Sequence, residues 1–200
     1  MLGLFADRRS RRKTPCQPLA MALALDPAGR AFHSLDHGDA HWRCVAALGM
    51  ELAREAGLDP MPMAIFGALH DRFRWNEHDD PQHGPRAAEA ARHAGILTAL
   101  GPLGNAMAQA LVHHDQGMTS ADPFIERCWD ADRLTLMRVG IMPSLEFMSS
   151  IASDSDLDAW IDRAWAVMDA PPSWEEIARI ALGCADRRHE GAGIDAEMEP

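Results

Sequence analysis

The chain has 200 residues, of which 47% are hydrophobic, and it carries a formal charge of −11. This length and composition suit one globular domain with its own core, and the acidic balance argues against general nucleic-acid binding. No apolar run approaches the roughly 20 residues that a membrane span needs. The four cysteines lie far apart without a C-x-x-C motif, so we expect reduced thiols in a cytoplasmic protein that binds no membrane.

The apolar pattern predicts an all-α fold, because no segment alternates at a period of two for long enough to form a strand. We expect a disordered basic tail over 1–16, a single helical domain over 17–188 and an acidic tail over 189–200. Helices are predicted at 19–25, 40–56, 61–69, 85–94, 105–114, 123–139, 156–168 and 173–186. Asp39 is the expected N-cap of the second of these helices. The segment after Val139 is expected to pack as a helical lid without catalytic residues.

An adjacent pair, His70 and Asp71, follows the apolar run 61–69. This is an unusual position for two polar side chains, because both are costly to bury without partners. His70 shares a helical face with Phe66 and Met63, so it is expected to point into the core. Taken alone, such a histidine is best interpreted as a hydrogen-bonded core residue.

Four further side chains of the metal-ligand type lie in phase with the apolar faces of other helices. They are His41, His83, His114 and Asp132. Four imidazoles and two carboxylates that converge in a small core need many partners, and one or two divalent metal ions would satisfy them together. Iron, manganese, nickel and cobalt suit this set best, and zinc stays open. Asp130 competes with Asp132, but its helical phase predicts a more solvated position.

The motifs that contain these residues resemble the HD-domain metal-dependent phosphohydrolase superfamily, in an uncharacterised bacterial branch. In order over 33–143 the matching pieces are His37-Gly-Asp-Ala-His41, Ala68-Leu-His70-Asp71, Gln82-His83-Gly84, His113-His114 and Trp129-Asp-Ala-Asp132-Arg-Leu134. The resemblance implies a helical bundle of the HD type. It also implies that His41, His70, Asp71 and Asp132 bind the common metal. His83 and His114 are similar to the extra ligands of dinuclear members, in which Asp71 would bridge the two ions.

The substrate candidates are mostly arginines, because the chain has a single lysine, Lys13. An arginine can grip a phosphate with two parallel hydrogen bonds. The candidates are Arg72, Asn76 and Arg86 for substrate contact, and Arg74 with His70 and Asp71 for catalysis. For each loop residue the alternative is a solvated polar side chain without a role.

Four other polar side chains are expected to support the site indirectly or to lie outside it. His37 and Asp130 are predicted to contact the ligands rather than the metal. Arg133 and Arg138 are expected to pair with Asp130 or Glu126 on their own helix.

These observations favour a metal-dependent phosphohydrolase that uses metal-activated water on a small phosphorylated metabolite, with a nucleotide as the first candidate. The alternative is a di-iron oxygenase, because some members of the superfamily hold two irons in a similar ligand set and react with dioxygen. A structural or sensory metal centre is a third interpretation. The oligomeric state is left open between a monomer and a homodimer.

Overall fold

Residues 17–27 and 31–190 are described by a computed structural model of the chain. Within these ranges every regular element is a helix, which confirms the all-α prediction. The α-helices are α1 Gln17–Leu23, α2 Asp39–Glu55, α3 Met61–Leu69, α4 His83–His93, α5 Ile96–Ala99, α6 Gly104–His113, α7 Pro123–Arg133, α8 Asp154–Asp169 and α9 Trp174–Glu190. None of the described helices is both long enough and apolar enough to cross a bilayer. The predicted tail 1–16 lies outside the described residues, as does 191–200.

Helix α3 forms the centre of the domain, because all of its residues are buried. Helices α1, α2, α6, α7 and α9 all pack against it. Its apolar side chains, including Phe66 at 1% exposure, are removed from water on every side. Burial of one such side chain stabilises the fold by about 1.5–3 kcal/mol. The residues that follow α3 are therefore held in a fixed position at its C-terminal end.

A glycine in α3 allows its backbone to touch the backbone of α2. A Cβ atom added at Gly67 would lie 2.5 Å from the nitrogen of Ala46, which no side chain could tolerate. The two helices therefore cross at unusually short range. This crossing brings His41, in the first turn of α2, beside His70, which directly follows α3.

A second glycine has the same effect between α4 and α6. A Cβ atom added at Gly84 would overlap the carbonyl oxygen of Leu111. The close contact brings His83, the first residue of α4, against His114, which directly follows α6. In the His-Gly motif, the imidazole of His83 is thus followed by the small residue, Gly84, that allows α4 to approach α6.

Two predicted features of the helix ends are wrong. Gly38 occupies the N-cap of α2, and Asp39 instead accepts hydrogen bonds from Arg43 and Trp174. Helix α7 does not continue to residue 139. It ends at Arg133, and a separate 3-10 turn follows over Leu136–Val139.

The segment after Val139, expected to pack as a helical lid, is α-helical only from Asp154 onward. Residues 140–153 are irregular except for the short 3-10 turn Leu145–Phe147. Helices α8 and α9, which follow, pack against α2. The part of the chain after Val139 that lies nearest the histidine cluster is therefore irregular rather than helical.

Gly84→Ala should lower the free energy of unfolding by about 1–3 kcal/mol, because the added methyl group forces α4 away from α6. Urea unfolding followed by circular dichroism measures this change. Gly183→Ala in α9 is the matched control, since a Cβ atom there meets nothing within 4 Å. It should be neutral or stabilise by up to about 1 kcal/mol. A Gly84→Ala protein as stable as the parent would show that the α4–α6 contact is not tight.

Candidate metal centre

The ends of five helices deliver six side chains to one point in the core. These six are His41, His70, Asp71, His83, His114 and Asp132. Together they are the set that the sequence predicts as metal ligands, here called the His/Asp cluster. Five of them are buried, and Asp132 has 14% of its side chain exposed.

The first half of the cluster joins residues from α2, α3 and α7. The Nε2 atoms of His41 and His70 lie 3.0 Å apart. Asp132 Oδ1 lies 3.4 Å from the first of these nitrogens and 3.8 Å from the second. This oxygen is buried and has no hydrogen-bond donor among the described residues. Two imidazoles and one carboxylate therefore face each other across a distance that a metal ion could span.

The second half of the cluster joins residues from α4 and α6 through a shared carboxylate. The Nε2 atoms of His83 and His114 lie 2.8 Å apart. Asp71 Oδ1 is 3.2 Å from the former and 3.5 Å from the latter. The other oxygen, Oδ2, faces the first half, at 3.5 Å from His41 Nε2 and 3.7 Å from His70 Nε2. Asp71 thus lies between the two pairs of imidazoles, with one oxygen directed at each.

All four imidazoles have an acceptor beside Nδ1, which determines where their proton lies. For His70, His83 and His114 the acceptors are the main-chain oxygens of Gly67, Asp80 and Leu111, at 3.1, 2.5 and 2.9 Å. For His41 it is Thr135 Oγ1 at 3.3 Å, whose own proton is donated to Asp132 O. A carbonyl can only accept, so the Nδ1 atoms carry protons, which leaves Nε2 of each ring as the atom available to a metal. Metal-binding histidines are oriented in this way.

The charges of the cluster favour a bound cation. Burial opposes ionisation of Asp71 and Asp132, but the neighbouring imidazoles hold the pKa of both carboxyls well below its usual range. Burial also lowers the pKa of His70 to about 3, so that this imidazole is neutral near pH 7. A neutral imidazole beside ionised carboxylates suits a divalent transition metal. The His/Asp cluster can therefore hold a metal ion.

His114 differs from His70 in its protonation. Burial alone would lower its pKa, but contact with Asp71 and the charge of Asp132 raise the pKa of His114 to about 9. A cation that binds through His114 Nε2 has to displace this proton.

A cavity of about 350 Å³ opens beside the cluster, a volume within the range of small-molecule sites. Asp71, His114 and Asp132 form its floor. The charged residues around it are Arg74, Asp115, Arg133 and Arg138, and the apolar ones are Leu136, Ile141, Met142, Pro143, Phe147 and Met148. A ligand in this cavity would touch the cluster directly.

Arg74 is one of the predicted functional residues that reaches the cavity. Its NH1 atom lies 3.4 Å from Asp71 Oδ1 and 3.3 Å from His83 Nε2. Asn76 lies instead in an adjoining depression, which shares His37 and Arg74 with the main cavity. A short ligand in the main cavity would therefore contact Arg74 but not Asn76.

The structure corrects the assignment of the other two arginines to substrate contact. Arg72 is buried, and it donates hydrogen bonds of 2.8 Å to the carbonyl oxygens of Leu23 and Leu25. Arg86 donates to the Asp80 carboxylate and to Phe73 O. Neither lines the cavity. Their guanidinium groups hold α1 and the 73–80 loop in place.

His37 contacts Asp71 of the cluster, as a residue that contacts a ligand rather than the metal would. Its Nδ1 atom is 2.9 Å from Asp71 Oδ2, and its main-chain oxygen accepts a hydrogen bond from Trp42 Nε1. Its side chain also lines the cavity. His37 therefore connects the carboxylate that lies between the imidazole pairs with the cavity.

The prediction that Asp130 is more solvated than Asp132 is wrong. Asp130 is fully buried and accepts hydrogen bonds from Ser149 N, Ser150 N and Ser150 Oγ. The chain segment that carries these serines covers this face of α7, so the face is not solvated. Asp132 is the more exposed of the two, because it borders the cavity. Asp130 thus anchors the irregular segment and does not touch the ligands.

Three residues near the cluster were not predicted as part of the site. Thr135 is fully buried and contacts His41, and Asp115 lies 3.8 Å from His83 Nδ1. Arg138, expected to pair along its own helix, lines the cavity and donates to Asp36 O at 2.5 Å. Their roles depend on the end of α7 and on loop positions, which helical periodicity does not describe.

Comparisons with protein-family models, curated proteins and solved structures found no match to this chain.

The two α7 aspartates should separate metal binding from stability. Asp132→Asn should reduce metal content without destabilising the metal-free protein, because Asp132 Oδ1 has no donor among the described residues. Asp130→Asn should keep the metal but lower the free energy of unfolding by about 1–3 kcal/mol, since it weakens a buried acceptor with three donors. Elemental analysis after equilibration with Mn²⁺, and urea unfolding in EDTA, measure the two effects. An equal loss of metal in both variants would contradict this assignment.

Proposed function

We propose that the chain is a metal-dependent phosphohydrolase that acts on a small phosphorylated metabolite, with a nucleotide as the first candidate. The main support is the position of Asp71, whose two oxygens face separate pairs of imidazoles. This arrangement suits two ions that share one carboxylate. Manganese, iron, cobalt and nickel match the nitrogen and oxygen donors, and zinc stays open. The motif likeness to the HD-domain superfamily agrees with this proposal.

The side chains around Asp71 have distinct roles in this proposal. A divalent ion held by the cluster supplies Lewis acidity and lowers the pKa of a water molecule at neutral pH. Asp71 orients the attacking water, and His37, 2.9 Å away, fixes the carboxylate. His70, fully buried, keeps its Nε2 lone pair toward the same point. Arg74 stabilises negative charge on the leaving oxygen from the wall of the cavity.

A di-iron oxygenase is the second candidate, and the apolar wall of the cavity favours it. Most residues that face the cluster across the cavity have no polar side-chain atoms. Such a wall excludes water and suits the oxidation of an organic substrate. The same six donors would then hold two irons, and the co-reactant would be dioxygen.

Metal analysis distinguishes the two candidates. The chain is purified without a histidine tag, and its metals are measured by mass spectrometry. Each metal-loaded form is then tested for phosphate release from a panel of phosphomonoesters and nucleotides. Phosphate release with manganese, cobalt or nickel supports the hydrolase. Iron at two per chain with substrate-dependent oxygen uptake supports the oxygenase. Bound metal without either activity would leave the structural or sensory interpretation.

Hydrolysis should depend on His70 and on the shared carboxylate of Asp71. His70→Ala and Asp71→Ala should each reduce metal content and lower kcat/KM by at least about 100-fold, because each removes a ligand. His93→Ala is the matched control, since that imidazole is exposed and, among the described residues, forms its ion pair with Glu89 at the surface. Helicity should stay near that of the parent in all three. Full metal occupancy in both ligand variants would place the metal elsewhere.

The second half of the cluster should determine the number of ions. His83→Ala or His114→Ala should reduce occupancy from two ions towards one, while His41, His70 and Asp132 keep the first. Hydrolysis should then persist weakly, because a single metal ion still activates water. An oxygenase that needs both irons should lose all activity. A parent protein that never exceeds one ion under metal-replete conditions would contradict the dinuclear proposal.

A further inference from the structure

The wall of the cavity opposite the His/Asp cluster is apolar and partly exposed. Its residues come from the irregular segment after α7. Ile141, Met142 and Phe147 are 54%, 61% and 43% exposed, although each is large and apolar. Large side chains that surround a cavity without being covered are typical of ligand contact rather than of core packing.

The same wall offers few hydrogen-bonding groups to a ligand. Of the described residues between 141 and 148 that line the cavity, Ser144 is the single one whose side chain can form a hydrogen bond with a ligand. A sugar with several hydroxyl groups would leave most of them without a partner when it loses water. The wall therefore fits an apolar group better than a polyhydroxylated one.

Arg138 contributes a positive charge that no described carboxylate neutralises within ion-pair distance. Its Nε atom donates to Asp36 O at 2.5 Å, and NH1 donates to the main-chain and side-chain oxygens of Thr135, both at 3.0 Å. These bonds hold the guanidinium in one orientation at the cavity. Arg74 and Arg133 differ, because they lie 3.4 and 3.9 Å from aspartate oxygens.

The charge balance of a metal-loaded centre points to an anionic ligand. Asp71 and Asp132 together balance the charge of one divalent ion. A second ion, with Arg138 nearby, leaves the site with a net positive charge. An anionic group would therefore bind at the metal end of the cavity, next to Arg138.

We propose that the substrate is a small organic anion, a phosphate monoester, whose organic group is an alkyl or aryl chain. The anionic head binds between the metal centre and Arg138, and the apolar group packs on Ile141, Met142 and Phe147. This inference rests on the proposed metal centre and narrows the substrate class of the proposed function. It ranks apolar monoesters ahead of nucleotides.

Binding of alkylphosphonates tests this proposal without any chemical step. Methyl-, butyl- and hexylphosphonate are titrated by calorimetry into the manganese-loaded protein, with ribose 5-phosphate as the polar comparison. Affinity should rise by about two- to fourfold for each added methylene that the wall covers. Ribose 5-phosphate should bind no more tightly than methylphosphonate. Equal affinity for all three phosphonates, or preference for the sugar phosphate, would overturn the proposal.

Variants test whether the apolar group of the ligand contacts the wall and whether its anionic head contacts Arg138. Ile141→Ser and Met142→Ser should flatten the dependence on chain length and leave methylphosphonate unchanged. Ile180→Ser is the matched control, because this exposed α9 residue does not line the cavity. It should retain the full dependence. Arg138→Gln should lower the affinity for all three phosphonates by a similar factor of about tenfold, because it removes one charge-assisted hydrogen bond to the anionic head.

The test distinguishes failure of this inference from failure of the proposed function. A metal-loaded protein that binds no phosphonate overturns the inference and leaves the metal centre intact. A protein that shows the chain-length dependence but releases no phosphate from any monoester overturns the hydrolase and supports the inference.

Discussion

The burial of the Asp71 carboxylate among imidazoles is the constraint that explains most of this fold. An isolated carboxylate at 3% exposure would be strongly destabilising, so its partners have to arrive from several directions. His37 and His41 come from one side, and His83 and His114 from the other. Each partner lies at or near a helix end or in a loop. Helices α2 and α6 pack directly on α3, and α4 packs on α6. The hydrophobic core thus supplies the rigidity, and the cluster occupies the point where the helices converge.

Main-chain carbonyl groups of the packed helices and loops orient histidines of the cluster directly. The carbonyl oxygens that accept the Nδ1 protons lie within or just before the helices that carry the histidines. Gly67 takes part twice, because its carbonyl orients His70 and its missing side chain allows α2 to approach α3. The orientation of the imidazoles is therefore set before any ligand binds. Such preorganisation limits the conformational cost of metal binding, so a bound ion should add directly to stability.

Helical periodicity accounts for what could be predicted from the sequence, and tertiary contacts account for the rest. His41 and His114 were identified because they lie on apolar faces, where a polar ligand is conspicuous. Asp130 was misjudged because the chain that buries it, at Ser149 and Ser150, is about 20 residues away. Arg72 was misjudged for the same reason, since its acceptors lie in and just after α1. A pattern within one helix contains no information about which distant loop covers it.

The His/Asp cluster and the apolar wall lie on different kinds of structure, the first on helices and the second on irregular chain. Every member of the His/Asp cluster lies within a helix or directly after one, where packing fixes its position. The exposed residues of the apolar wall are Ile141, Met142 and Phe147, which bury little of their apolar surface, so we expect substitutions there to cost little stability. In the proposed function, such a scaffold would keep its metal centre while the wall changes. The identity of the proposed substrate is then better sought in Ile141, Met142 and Phe147 than in the cluster itself, because the cluster would constrain the reaction and the wall would constrain the organic group.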